Sequence, residues 1–268
     1  MNLKAQYEKC GFWTMNYSEN LAKLVEVMMR TWKNFCSLPL EIKSLFVYEN
    51  GVGYEQKDGI NTGDKKENLH LTIKGLERIL EIARKEKVDP NLFNQTKLLL
   101  DEIINPLTEF ARGIEQFDLP NFSDKLRKGY DEWTLRFLFY PPGAQPGEII
   151  AHHHVDKLDL TVYLKETTPG VQYYDKDNQW KNVPILPGQM IITPGLRGQY
   201  LSHCKIEGLY HQVKANQKSE KDGRYAIVCF LDSLDGGKYN KHKFGRTQDL
   251  PLGFNRKMSY QELEKFFI

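Results

Sequence analysis

The feature that most constrains the fold is a change of hydrophobic period near Trp133. Before it, apolar residues recur at spacings of three and four, the stripe of an amphipathic helix. Leu21, Leu24, Val25, Met28, Met29, Trp32 and Phe35 form one such stripe behind Ser18-Glu19, and Ser37 to Pro39 ends it. Its methionines and aromatics read as core packing. Gly51, Gly53, Gly59 and Gly63 then mark a loop. Thr72 to Lys87 reads as a short helix. Asp89-Pro90 starts another that reaches about Phe117, with Pro106 placed to kink or break it.

After Trp133 the period falls to two. Leu135, Phe137 and Phe139 alternate with Arg136, Leu138 and Tyr140 until Pro141-Pro142-Gly143. Leu158, Leu160, Val162 and Leu164 alternate with Asp159, Thr161 and Tyr163. Pro187-Gly188 turns into Met190-Ile191-Ile192, and Tyr225 to Leu231 is a further strand. Short strands at this spacing predict a jelly roll or small barrel. The last ten residues read as a closing helix. The expected division is a helical region over 1–120, a jelly-roll core over 130–235 and a tail with a helix over 236–268.

Bulk properties narrow the partners. Lys plus Arg is 37 against 35 for Asp plus Glu, a net charge of +2. Nothing there favours nucleic acid or an anionic membrane. No stretch approaches the roughly 18 apolar residues of a membrane span. Cys10, Cys36, Cys204 and Cys229 are scattered, the pattern of reduced thiols in a cytosolic protein. The expected partner is a small molecule.

The chemistry concentrates in Ala151-His152-His153-His154-Val155-Asp156, directly before a strand. Side chains two apart on a strand share a face, so His154 and Asp156 point together and Val155 points away. His152 joins them if the strand extends back that far. His211, in Tyr210-His211-Gln212-Val213, supplies a third donor from another strand. Two histidines and one carboxylate on one face of an octahedral ion suit non-haem Fe(II) oxygenases, because open positions remain for dioxygen and an organic ligand. A lone H-x-D is weak. The following strand, the distal His and Arg224 strengthen it. Arg224 shares a strand face with positions 226, 228, 230 and 232, where a guanidinium suits bidentate carboxylate recognition. Zinc fits less well, since catalytic zinc favours three histidines or two with Glu.

Taken in order, these motifs resemble the isopenicillin N synthase-like branch of the 2-oxoglutarate/Fe(II)-dependent dioxygenases. Cys10-Gly11-Phe12-Trp13, Leu38 to Lys43, Gly53-Tyr54 and Lys66-Glu67-Asn68-Leu69-His70 are similar to its N-terminal region. Arg136 to Pro142, His154-x-Asp156 with Leu160-Thr161, Gly170-Val171-Gln172, Trp180-x-x-Val183, Pro187-Gly188 and His211-Gln212-Val213 follow the order of its core. The resemblance implies a double-stranded β-helix of the jelly-roll kind behind a helical N-terminal region. It implies Fe(II) on His154, Asp156 and His211, with dioxygen and 2-oxoglutarate as co-substrates. The far carboxylate of 2-oxoglutarate is then held by Arg224 with help from Tyr140. Decarboxylation to succinate is coupled to oxidation of the substrate, hydroxylation being the default and desaturation or ring closure the variants.

Two positions and one segment depart from the family pattern. Ala226 stands where it has Ser, which removes one hydrogen bond to the co-substrate, about 1 kcal/mol. Leu138 stands for an Asn, and Thr193-Pro194-Gly195-Leu196 for N-x-G-D. The polar losses motivate an alternative, an Fe(II) oxidase that uses no 2-oxoglutarate. A non-catalytic jelly-roll binding protein is the reading from another class. Strand alternation puts Arg136, Phe230 and Asp232 towards the mouth as candidate contacts to a polar or zwitterionic substrate.

Overall fold

A computed structural model describes residues 2–59 and 64–268. Eleven strands lie among the described residues: β1 Trp13–Asn16, β2 Gly53–Asp58, β3 Lys65–Leu71, β4 Thr134–Tyr140, β5 Ile149–His154, β6 Leu160–Glu166, β7 Val171–Tyr174, β8 Trp180–Asn182, β9 Gln189–Pro194, β10 His211–Lys214 and β11 Arg224–Leu231. They form a seven-stranded sheet, β1-β9-β6-β11-β4-β3-β2, and a four-stranded sheet, β5-β10-β7-β8. All the pairings within them are antiparallel.

The alternation read from the sequence becomes two cores. On β11, Ile227, Cys229 and Leu231 face the helical layer, with Leu135 and Phe137 of β4 and Leu160 and Val162 of β6. Ala226, Val228 and Phe230 face the other way, with Leu138, Tyr140, Tyr163 and Val213. The helix Glu19–Cys36 is capped by the Ser18 side chain on Leu21 N–H, and buries the predicted Leu21, Val25, Met28, Met29, Trp32 and Phe35. Buried Trp32 donates from Nε1 to Leu138 O at 3.0 Å, which ties this helix to β4.

Three outcomes differ from the sequence reading. Pro106 lies inside one helix, Asn91–Ile114, which runs on through it. The expected glycine loop contains β2, and β2 with β3 forms a hairpin on the sheet edge. Gly63 lies outside the described residues. The helical first part therefore also contributes β1, β2 and β3 to the large sheet. At the far end the helix is Tyr260–Glu264, after which Phe267 bridges to Tyr239.

Candidate metal centre and carboxylate pocket

Strand register builds the centre. His154 ends β5 and His211 begins β10, and the two are direct partners across that pair. Their rings lie 4.3 Å apart. Asp156 follows two residues after β5, and one donor atom from each of the three lies within 4.8 Å of the others. His154 Nε2 is 3.5 Å from Asp156 Oδ1, and His211 Nε2 is 3.9 Å from Oδ2.

The surrounding contacts orient all three side chains. His154 Nδ1 donates to His152 O at 2.7 Å, and His211 Nδ1 donates to Leu209 O at 3.0 Å. Each Nε2 lone pair is thereby left facing the cluster, the tautomer a metal needs. Thr161 Oγ1 donates to Asp156 Oδ2 at 2.7 Å. Burial alone would raise the Asp156 pKa, but the His211 and His154 imidazoles and the Thr161 hydroxyl outweigh it and hold the carboxyl below its usual range. Burial, reinforced by His154, pushes His211 down to about 4. A neutral His211 imidazole beside an ionised carboxylate suits a divalent cation, whose donors must be deprotonated.

Backbone packing fixes the Asp156 loop. Leu196 N–H donates to Asp156 O at 2.7 Å and Gly195 N–H to Asp159 O at 2.8 Å. A Cβ on Gly195 would stand 2.0 Å from Leu158 O. This is a physical reason for glycine in Thr193-Pro194-Gly195-Leu196.

The cavity between the sheets runs from this cluster to Arg224 and is lined in part by Lys66, Arg136, Tyr140, Tyr163 and Phe230. Arg224 is 2% exposed, partners Tyr140 across β11 and β4, and lies over its ring. Its Nη2 donates to Glu166 Oε2 at 2.6 Å. Arg224 Nε and Glu166 Oε1 are both buried without a hydrogen-bond partner. The Arg136 guanidinium packs on Phe230 at 4.6 Å, and its Nε donates to His70 Nδ1 at 3.4 Å. Among the described residues, no carboxylate lies within ion-pair distance of Arg136.

Asp232 is a correction. It does not line the cavity; it lies beyond the end of β11 and accepts from Arg197, which also pairs with buried Asp159 at 2.6 Å. The period-two extrapolation fails because the strand ends at Leu231. His152 is turned out of the donor cluster, and its backbone N–H and Nδ1 both meet Asp64 Oδ1 at 3.0 Å.

Sequence reasoning missed Lys66, Tyr163 and Glu166. Tyr163 was legible from its alternation with Thr161. Lys66 lies on β3, a stretch quoted for its resemblance but given no element in the sequence reading, and Asp64 Oδ2 accepts from it at 2.8 Å. Asp64 is held at about 2, because Lys66 and His152 overcome the burial that opposes its charge.

Known proteins share the fold and part of the sequence. A 2-oxoglutarate-dependent dioxygenase of Gibberella zeae is 31% identical over 146 residues, which are 54% of this chain and 42% of that protein. A flavonol synthase/flavanone 3-hydroxylase of Eustoma exaltatum subsp. russellianum is 27% identical over 39% of this chain and 31% of its own. The chain thus spans less than half the length of these curated relatives. A Neurospora crassa protein solved with alpha-KG and 5-formyluracil shares the fold at a TM-score of 0.71 and 18% identity, covering 96% of this chain and 85% of that one. The Arabidopsis thaliana dioxygenase for auxin oxidation 1, in its 2-oxoglutarate complex, gives 0.68 at 20% identity, covering 85% of each chain. Residues 131–233 match the model of the 2OG-Fe(II) oxygenase superfamily, and over this core the chain is similar to that superfamily.

Proposed function

We propose that the protein is a 2-oxoglutarate- and Fe(II)-dependent dioxygenase that hydroxylates a small molecule. The observation that carries the reading is one cavity with an oriented donor cluster at one end and a buried arginine at the other. His154, Asp156 and His211 would hold Fe(II), and the unpartnered Arg224 Nε offers a donor to a distal carboxylate. When bound, the iron would activate dioxygen as the oxidant, with 2-oxoglutarate and the substrate each supplying two of the four electrons it takes up. The chain's own groups do the rest. The His152 and Leu209 carbonyls and the Thr161 hydroxyl keep the donors aimed. Tyr140 and Tyr163 wall the co-substrate end. Arg136, stacked on Phe230 and without a carboxylate partner among the described residues, would receive an acidic or polar group of the substrate.

One observation favours a second reading, an Fe(II) oxidase that uses no 2-oxoglutarate. Glu166 already occupies one face of Arg224. Succinate release on adding 2-oxoglutarate to the Fe(II)-loaded protein in air separates the two. Stoichiometric succinate supports the dioxygenase. Substrate oxidation without succinate supports the oxidase. A protein that binds iron and turns nothing over supports the non-catalytic binding protein.

A further inference from the structure

Glu166 reaches Arg224 through an irregularity in the sheet. Along β11, Ala226 opposes Glu166 and Ile227 opposes Lys165, but Val228 opposes Tyr163, so Leu164 is an extra residue. Tyr163 faces the cavity, and strict alternation would send residue 166 to the helical side. The bulge instead leaves Leu164 in the helical core and Lys165 paired with Glu26, and turns Glu166 inward. A bulge that re-aims one carboxylate onto one buried arginine is a constructed feature.

The pair it makes is half-satisfied. Arg224 and Glu166 share one hydrogen bond, at 2.6 Å, while Arg224 Nε and Glu166 Oε1 remain buried without partners. A mutually bidentate pair would have used both. Beside Nε stands Gly170, where an added Cβ would come within 3.2 Å of that nitrogen. The guanidinium is thus engaged at Nη2 and left with an unpaired Nε.

We propose that Glu166 is a built-in competitor for Arg224, sharing its guanidinium with the distal carboxylate of 2-oxoglutarate and so setting both the affinity and the selectivity for that co-substrate. The inference rests on the co-substrate reading above. It makes Glu166 a positioning and selectivity residue, acting through Arg224.

The chemistry has a proton in it. Two carboxylates at one guanidinium disfavour each other's ionisation. Glu166 faces Arg224 from β11 and Tyr163 from its own strand, with Tyr140 of β4 behind Arg224; on its other side Tyr17, Glu19, Lys23, Glu26 and Lys165 line one groove with it. Burial already raises the Glu166 pKa, against the opposing pull of Arg224. Arrival of the second carboxylate raises it further, so Glu166 takes up a proton from solvent as 2-oxoglutarate binds. Affinity then weakens as pH rises, by at most about tenfold per pH unit.

The test is anaerobic equilibrium binding of 2-oxoglutarate to the Fe(II)-loaded full chain, wild type and Glu166→Gln, across a pH series. 2-Oxobutyrate, which lacks the distal carboxylate, is measured beside it. Glu166→Gln is expected to bind 2-oxoglutarate about tenfold more tightly at the alkaline end, with a flattened pH slope. Binding of 2-oxobutyrate is expected to stay unchanged. Weaker or equal 2-oxoglutarate binding by the variant overturns the proposal, as does an unaltered slope. If the variant does not fold, the wild type decides alone. Its ratio of 2-oxoglutarate to 2-oxobutyrate affinity must rise as pH falls, since titration of the metal ligands cancels from that ratio; a constant ratio overturns the proposal. Failure of 2-oxoglutarate to bind either protein is a different result: it removes the co-substrate reading and the role of Glu166 with it.

Discussion

Thr161→Val removes one hydroxyl near the centre and leaves every proposed ligand in place. Thr161 Oγ1 donates to Asp156 Oδ2 at 2.7 Å, and Asp156 is buried among the two histidines. A hydrogen bond to a charged group contributes about 1.5–3 kcal/mol net. At 1.4 kcal/mol per decade, the lower end is about tenfold and the upper end about a hundredfold in affinity. Loss of an outer partner of a metal ligand costs about 10–100-fold, which agrees. The variant is therefore expected to bind Fe(II) about 10–100-fold more weakly in an anaerobic competition titration against a chelator. Thr161→Ser, which keeps the hydroxyl, is expected to stay near wild type. An Fe(II) affinity within about twofold of wild type for Thr161→Val would refute the claim that this hydroxyl orients the carboxylate.

Three further outcomes follow from the geometry. Arg197→Leu strands two carboxylates, Asp159 and Asp232, and is expected to cost about 3–5 kcal/mol in denaturant unfolding; a loss below about 1 kcal/mol contradicts it. Gly195→Ala drives a Cβ into Leu158 O, so the Asp156 loop must shift and Fe(II) affinity must fall; a variant that binds iron as wild type does contradicts this. Burial first, then the charges of Arg136, Lys57 and Lys66, hold the His70 pKa well below its ordinary value of about 6.5. The unfolded chain takes up a proton there that the folded chain refuses, so stability present above about pH 6.5 is lost as pH falls. His70→Gln is expected to flatten that decline in urea titrations, and an unchanged slope contradicts it.

What the sequence disclosed follows the physics of each element. The helix Glu19–Cys36 and strands β4, β6 and β11 separate two different environments, so their periodicity is strong and was readable. His154 and Asp156 do converge, although β5 stops at His154 and the two-apart rule was carried past its end; the loop backbone, held by Leu196 N–H on Asp156 O, brings the carboxylate there. The β2–β3 hairpin was not readable. It lies on the sheet edge with Glu55, Lys57, Lys65 and Glu67 along it, and polar side chains hide the alternation. Glu166 was invisible because a bulge breaks the period-two rule between Tyr163 and itself. Asp232 was misplaced for a related reason, since the rule was carried past Leu231, where β11 stops.

The departures noted in the sequence take on meaning in the structure. Ala226, where the resembled family has a hydroxyl, faces Glu166 across the β11–β6 pair. The polar group missing from β11 is thus matched by a carboxylate from β6 at the same arginine.

The most direct measurement is anaerobic titration of the protein with Fe(II) and 2-oxoglutarate, followed by visible absorption. Chelation of iron by the 2-oxo acid in this centre predicts a weak charge-transfer band in wild type and none in His211→Ala. Iron binding with no such band at saturating 2-oxoglutarate would contradict the assignment of this cavity as a 2-oxoglutarate site.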